Sequence, residues 1–178
     1  MKQLFMKKWV IAFMALILLG SAATAIFTET TKAKSAPRII TFENVNSRKV
    51  LGIGGDNKQS DGAYVIQWNF ENTNDQKWYV EDAGDGFVYI RNLESGDLLD
   101  VSGASTADGA KVIQWPDNGG WNQQWKFVLA DEDRGHSWYI LNRGSGKYLE
   151  ISDQSTADGA ETAQWSLNRG PNQRWFFR

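Results

Sequence analysis

The sequence predicts an all-β fold built from three copies of one unit, each of about four short strands. Three observations carry this. First, one spaced skeleton returns three times: an asparagine, a small or acidic residue eight positions on, a tryptophan after a set gap, then Gln-x-Trp. The copies are Asn44, Gly52, Trp68 and Gln76-Lys77-Trp78; Asn92, Asp100, Trp115 and Gln123-Gln124-Trp125; and Asn142, Glu150, Trp165 and Gln173-Arg174-Trp175. Second, copies two and three superpose at a constant offset of 50, down to an identical Ser-Thr-Ala-Asp-Gly-Ala at 105–110 and 155–160, whereas copy one needs one extra residue between Gly52 and Asp61. Third, no segment beyond residue 25 sustains a helical period. A unit this short cannot bury an apolar face alone, so the copies must pack on one another.

The chain opens with Lys2, Lys7 and Lys8, an apolar run from Trp9 to Leu19 and the small residues Gly20 to Ala25. Charge, a short apolar stretch and a small-x-small site read as a secretory signal cut after Ala25. The rival reading, a membrane anchor, asks for roughly 20 apolar residues, and the run has 11. No membrane insertion is expected after cleavage. With no cysteine after the run, a lipid anchor is not expected either. Residues 26–37 are small, polar and threonine-rich, and read as a disordered leader.

Each repeat (about 38–82, 86–130 and 136–178) opens with period-two patterning rich in β-branched and aromatic residues: Arg38–Val45, Phe87–Leu93 and Ser137–Arg143. That pattern argues for strands. A second strand is expected at Val50-Leu51, Leu98–Val101 and Tyr148–Ile151. The Asp-Gly pairs at 61–62, 108–109 and 158–159 follow as turns, because glycine accepts positive φ and aspartate bonds nearby backbone. A third strand ends at the first tryptophan, and a fourth carries Gln-x-Trp. Three four-stranded units closed about a pseudo-threefold axis make a β-trefoil, although periodicity alone fits a generic all-β barrel or sandwich equally well.

Composition narrows the function classes. Removing residues 1–25 takes away three lysines and no acid, leaving 16 basic and 21 acidic residues. A net negative chain is the wrong sign for gripping nucleic-acid phosphates. The chain has no cysteine and one histidine, His136, so no transition-metal constellation is available. Without disulfides, stability must come from packing, which a domain of about 140 residues can supply.

The motifs Leu98-Leu99-Asp100-Val101, Ser105–Ala110, Ile113-Gln114-Trp115-Pro116 and Asn122–Trp125, in that order and spacing, resemble the ricin B-chain type lectins and related carbohydrate-binding modules. The likeness covers residues 38–178. It implies a β-trefoil with one sugar pocket per repeat. A sugar offers C–H patches on a ring face and hydroxyls at its edge. An aromatic ring covers the first, and a carboxylate with amide neighbours bonds the second. Charge assistance makes the carboxylate the strongest orienting group.

Carried over by position, the resemblance puts the sugar-binding acid at Asp100, the stacking ring at Trp115 and edge-binding groups at Asn118, Asn122 and Gln123. The third repeat offers Glu150, Trp165, Asn168, Asn172 and Gln173. The first offers Gly52, Trp68, Glu71, Asp75 and Gln76, and is expected not to bind, since Gly52 has no side chain. Glu150 is one methylene longer than aspartate, which is expected to carry its carboxylate outside hydrogen-bond tolerance unless the site rearranges. Repeat two therefore ranks first. Trp78, Trp125 and Trp175 read as core, and the aspartates of the Asp-Gly pairs are fully accounted for as turn residues.

Glycoside hydrolysis needs two carboxylates roughly 5–10 Å apart about one bond, whereas Asp100 and Glu150 fall in different repeats. No Gly-x-Ser-x-Gly motif or phosphate loop is present. The sequence thus predicts a secreted, non-catalytic glycan-binding protein needing no cofactor or metal. The alternative is a trefoil used for protein contact, as a toxin-assembly subunit, effector or inhibitor with degenerate sugar sites. A separate enzyme or toxin chain as partner is left open.

Overall fold

The computed structural model describes residues 38–130 and 136–178, so the signal segment 1–25 and the leader 26–37 lie outside the described residues. Thirteen strands form one continuous antiparallel system. The first repeat holds β1 (Arg38–Ile40), β2 (Phe42–Asn44), β3 (Val50–Ile53), β4 (Val65–Trp68) and β5 (Trp78–Gly84). The second holds β6 (Phe87–Asn92), β7 (Leu98–Val101), β8 (Val112–Trp115) and β9 (Trp125–Leu129). The third holds β10 (Trp138–Asn142), β11 (Tyr148–Ile151), β12 (Thr162–Trp165) and β13 (Trp175–Phe177).

The thirteenth strand arises because the first expected strand is interrupted at Thr41. Its N-terminal half, β1, pairs with β5 of the same repeat, and its C-terminal half, β2, pairs with β13 of the third. Strands β6 and β10 make the same two pairings without a break: β6 with β5 and β9, β10 with β9 and β13. First and fourth strands therefore close a barrel, and the hairpins β3–β4, β7–β8 and β11–β12 attach to it. The Gln of each Gln-x-Trp sits just before its strand, in the 3₁₀ turns Asn74–Gln76, Trp121–Gln123 and Pro171–Gln173.

The recurring residues divide the work. Trp78, Trp125 and Trp175 are fully buried, and each indole N–H donates to a hairpin carbonyl: Leu51 O at 3.2 Å, Leu99 O at 2.9 Å and Leu149 O at 3.2 Å. A buried aromatic contributes both area and a satisfied donor. Inside the barrel, Phe42, Phe127 and Phe177 meet edge to face or tilted, with centroids 4.6–6.0 Å apart.

The repeats are stitched together by glutamines that precede the exposed tryptophans. Gln67, Gln114 and Gln164 are fully buried. Gln164 Nε2 donates to Ser105 O and Ala107 O of repeat two at 2.8 and 3.0 Å, and its Oε1 accepts from Ser145 at 2.6 Å. Gln114 does the same to Lys58 O and Ser60 O of repeat one, and Gln67 to Ser155 O and Ala157 O of repeat three. Each repeat thus clasps the Asp-Gly turn of the one before it, cyclically.

The Asp-Gly glycines take the left-handed conformation their turns require, with φ of 78–79°. The aspartates, however, do more than turn chemistry asks. Asp158 accepts from Asn69 N (3.1 Å), Asn69 Nδ2 (2.9 Å) and Lys49 Nζ (2.6 Å) of repeat one. Asp108 accepts from Ser166 N and Oγ and pairs with Lys147 Nζ at 2.8 Å. Lys147 first, then the serine, holds the Asp108 carboxyl below its usual range. At the third junction, the place of Asn69 and Ser166 is taken by Pro116, which has no N–H, and that of the lysines by Asp97. Burial, then Asp61, raises the Asp97 carboxyl, and its Oδ2 is buried without a hydrogen bond. Asp97→Lys is expected to restore the missing latch and stabilise the protein by about 0.5 kcal/mol, read as a shift in urea midpoint that fades at high salt; a loss of stability would contradict the pairing.

Candidate functional site

Asp100 lies on β7 facing the 3₁₀ turn that carries Asn122. It is 2% exposed. Asn122 Nδ2 donates to Asp100 Oδ2 at 2.9 Å and to Val101 O at 3.2 Å. Gln123, also buried, hydrogen-bonds the acid and closes its own loop, donating to Pro116 O at 2.9 Å while its Oε1 accepts from Asn118 N at 3.0 Å. Burial pushes the Asp100 carboxyl up to about 6, against the opposing pull of Gln123 and Asn122. The cavity above it measures about 420 Å³ and is walled by Gly103, Ile113, Trp115, Asn118 and Asn122.

The indole of Trp115 is 41% exposed and has two neighbours. A methyl group built on Gly62 of the preceding repeat would lie 3.3 Å from its ring, so the tryptophan rests against that turn while lining the pocket. Trp165 rests likewise on Gly109, and Trp68 on Gly159. Packing and pocket wall are one role here, not competing ones.

In repeat three the extra methylene of Glu150 does not carry its carboxylate out of range. Oε2 accepts from Asn168 Nδ2 at 3.3 Å, Asn172 Nδ2 at 3.2 Å and Gln173 Nε2 at 3.0 Å. The longer side chain reaches Asn168, which still accepts from Gly170 N just as its counterpart Asn118 accepts from Gly120 N. Burial raises the Glu150 carboxyl, while Gln173, Asn172 and Asn168 lower it. The cavity of about 430 Å³ includes Trp165 and, from repeat two, Gly109 and Lys111.

Of the five residues expected in each pocket, the acid, the tryptophan and the two asparagines line it, whereas Gln123 and Gln173 sit behind the acid and position it. The rim residues Gly103 and Asp153, both at positive φ, were not singled out by sequence, although they follow the acid by three positions in each copy. Lys111 was hidden because it comes from a neighbouring repeat. Trp121, beside the second pocket in sequence, stacks under Arg143, 4.7 Å from its ring centroid.

The skeleton asparagines hold these turns. Asn142 Nδ2 donates to Asn122 O, Asn44 Nδ2 to Asn172 O and Asn92 Nδ2 to Asp75 O, at 2.8–2.9 Å. In repeat one, Asp75 stands where Asn122 and Asn172 stand. Its Oδ2 lies 3.3 Å from where a Cβ on Gly52 would be, and accepts from Lys58 Nζ at 2.7 Å. Among the described residues no group of three or more His, Cys, Asp or Glu could hold a metal ion, and no helix is long and apolar enough to cross a membrane.

Comparison with known proteins agrees with this fold. The chain is similar to a designed threefold-symmetric protein, ThreeFoil, at 38% identity over 78% of this chain and 96% of that one, with a TM-score of 0.74. It is also similar to an exo-β-1,3-galactanase from Clostridium thermocellum, at 37% identity and a TM-score of 0.70. That match covers 78% of this chain but spans only 29% of the galactanase. A Macrolepiota procera ricin B-like lectin, solved with lactose, shares the fold at 21% identity, covering 80% of this chain and 96% of the lectin, with a TM-score of 0.69. No curated protein matches the chain by sequence. The family model described as "Ricin-type beta-trefoil lectin domain-like" matches residues 27–115 and 121–178. The chain belongs to the ricin-type β-trefoil lectin-like family.

Proposed function

We propose that the protein is exported and binds glycans without cleaving them, through the Asp100 pocket of repeat two and the Glu150 pocket of repeat three. One observation carries the reading: each pocket sets a buried carboxylate, pre-bonded by amides, beside a half-exposed indole. A sugar would lay its C–H face on Trp115 or Trp165 and donate edge hydroxyls to Asp100 or Glu150. Asn118, Asn122, Asn168 and Asn172 flank the sugar, and Gln123 and Gln173 hold the acids in place. The Asp100 pocket is lined by a single acid, which fits binding and not the two-carboxylate hydrolysis of a glycosidase; in the Glu150 pocket Asp153 stands on the rim while Glu150 is tied to three amides. A single shallow pocket would bind a sugar at about millimolar strength, roughly −4 kcal/mol. Two pockets on one polysaccharide would multiply that through effective concentration.

Galactosides are the first probes to use, because a galactanase is among the more similar proteins. On a glycan array that includes lactose and β-1,3-galactan, the natural protein is expected to bind and the Asp100→Ala/Glu150→Ala protein to lose most of the signal. Binding indifferent to both replacements would remove the site assignment. An array with no bound glycan would favour a trefoil serving protein contact.

A further inference from the structure

The first repeat lacks the strand acid, yet its pocket is not empty of one. In repeats two and three the acid comes from the strand and the amide from the 3₁₀ turn. In repeat one these are exchanged: Gly52 vacates the strand position and Asp75 sends its carboxylate back across the gap, to within 3.3 Å of the missing Cβ. Asp75 is buried, and Lys58 caps it at 2.7 Å with an ammonium that is itself partly exposed. The cavity here is about 350 Å³, with Glu71 fixing the Trp68 indole N–H at 3.1 Å.

A second difference extends this cavity. Along the third strand of each repeat, side chains alternate, so Tyr64, Ile66 and Trp68 share the outer face while Val65 and Gln67 point inward. At the position of Tyr64 the other repeats carry Lys111 and Glu161, which pair with each other. Among the described residues, only repeat one therefore shows a second exposed ring on this strand face, with Tyr64 51% and Trp68 40% exposed. Four residues of strand separate them by about 13 Å, which is longer than one pyranose ring. A second hollow of about 610 Å³, lined by Asn57, Ser60, Asp61 and Tyr64, shares Gly54, Gly55, Ile66 and Trp68 with the first. The two are one trough.

We propose that repeat one carries a third glycan site, a trough for an internal stretch of a linear, neutral oligosaccharide, with Trp68 and Tyr64 as successive platforms and Asp75 as its acid. The proposal rests on the reading of the protein as a glycan binder. Stacking on successive rings tolerates variation in the sugar and grows with chain length, whereas the pockets of repeats two and three each offer a single ring, Trp115 or Trp165. Neutrality follows from the lining: with Asp75 paired to Lys58 and Glu161 to Lys111, Asp56, Asp61 and Glu71 still leave it net negative, and that field repels uronate or sulfated chains.

The test silences the other pockets with Asp100→Asn/Glu150→Gln and titrates the protein with hexaoses of β-1,3-galactan, β-1,4-xylan and chitin, each beside its monosaccharide. At least one hexaose is expected to bind tenfold or more tighter than its monosaccharide, and a further Tyr64→Ala, at an exposed position, is expected to erase that gain. No hexaose binding, no gain with length, or a gain that survives Tyr64→Ala overturns the trough. Natural-protein binding that vanishes entirely in the double variant overturns the trough alone and leaves the two-pocket reading standing. Binding of the natural protein that ignores both acids, with no length gain, removes both.

Discussion

Asp100→Asn is expected to make the protein about 2 kcal/mol more stable at pH 8, to confer no advantage at pH 4, and to abolish binding in the second-repeat pocket. The Asp100 carboxyl ionises at about 6 when folded, against 3.8 for its ordinary value. Between those values the unfolded chain has released a proton that the folded chain still holds. Each pH unit of that window withdraws roughly 1.4 kcal/mol from folding. Stability linked to Asp100 is therefore complete below about pH 4 and is lost as pH rises through 6. Asparagine cannot ionise and escapes the loss. Denaturant titrations of both proteins at pH 4, 6 and 8 measure the difference, and parallel pH profiles would refute it. Sugar binding by the natural pocket should run the opposite way, strengthening as pH rises through about 6, because only the ionised acid accepts from two hydroxyls with charge assistance. The pocket is held in its working state at the expense of the fold.

The second large effect is expected at the clasps between repeats. Gln164→Leu preserves bulk but removes one acceptor and two donors from a buried position, leaving Ser145, Ser105 O and Ala107 O without that partner. Each orphaned buried group costs about 1–3 kcal/mol, so a loss on the order of 3 kcal/mol in unfolding free energy is expected. Gln67→Leu and Gln114→Leu should match it, since all three glutamines make the same bonds. A loss under about 0.5 kcal/mol would mean that the barrel alone holds the repeats together.

The repeat skeleton made the architecture legible because identical residues at constant spacing must do identical work. Asn44, Asn92 and Asn142 recur because each anchors a neighbour's turn, and Trp78, Trp125 and Trp175 because each fills the barrel. What spacing could not convey was contact across repeats. Asp108 and Asp158 looked complete as turn residues because their partners, Ser166 and Asn69, lie 58 and 89 residues away along the chain. Gly52 suggested an empty pocket because position-by-position comparison looks for an acid in its usual place. Asp75 reaches the same space from the opposite wall, and only the fold brings the two walls together. Glu150 was misjudged by reading its extra methylene only as displacement, when it brings the carboxylate within reach of Asn168 as well as Asn172 and Gln173.

The wall of the third-repeat pocket has a consequence for how such a protein can be cut and rejoined. Trp165 leans on Gly109 from the second repeat, and the turn bearing Asn172 hangs from Asn44 in the first. No single repeat owns a complete receptor. A segment excised at repeat boundaries would carry the right residues and no binding, and would have to gather two further copies of itself to regain it. Closure of the ring, rather than any one segment, is what completes each candidate pocket.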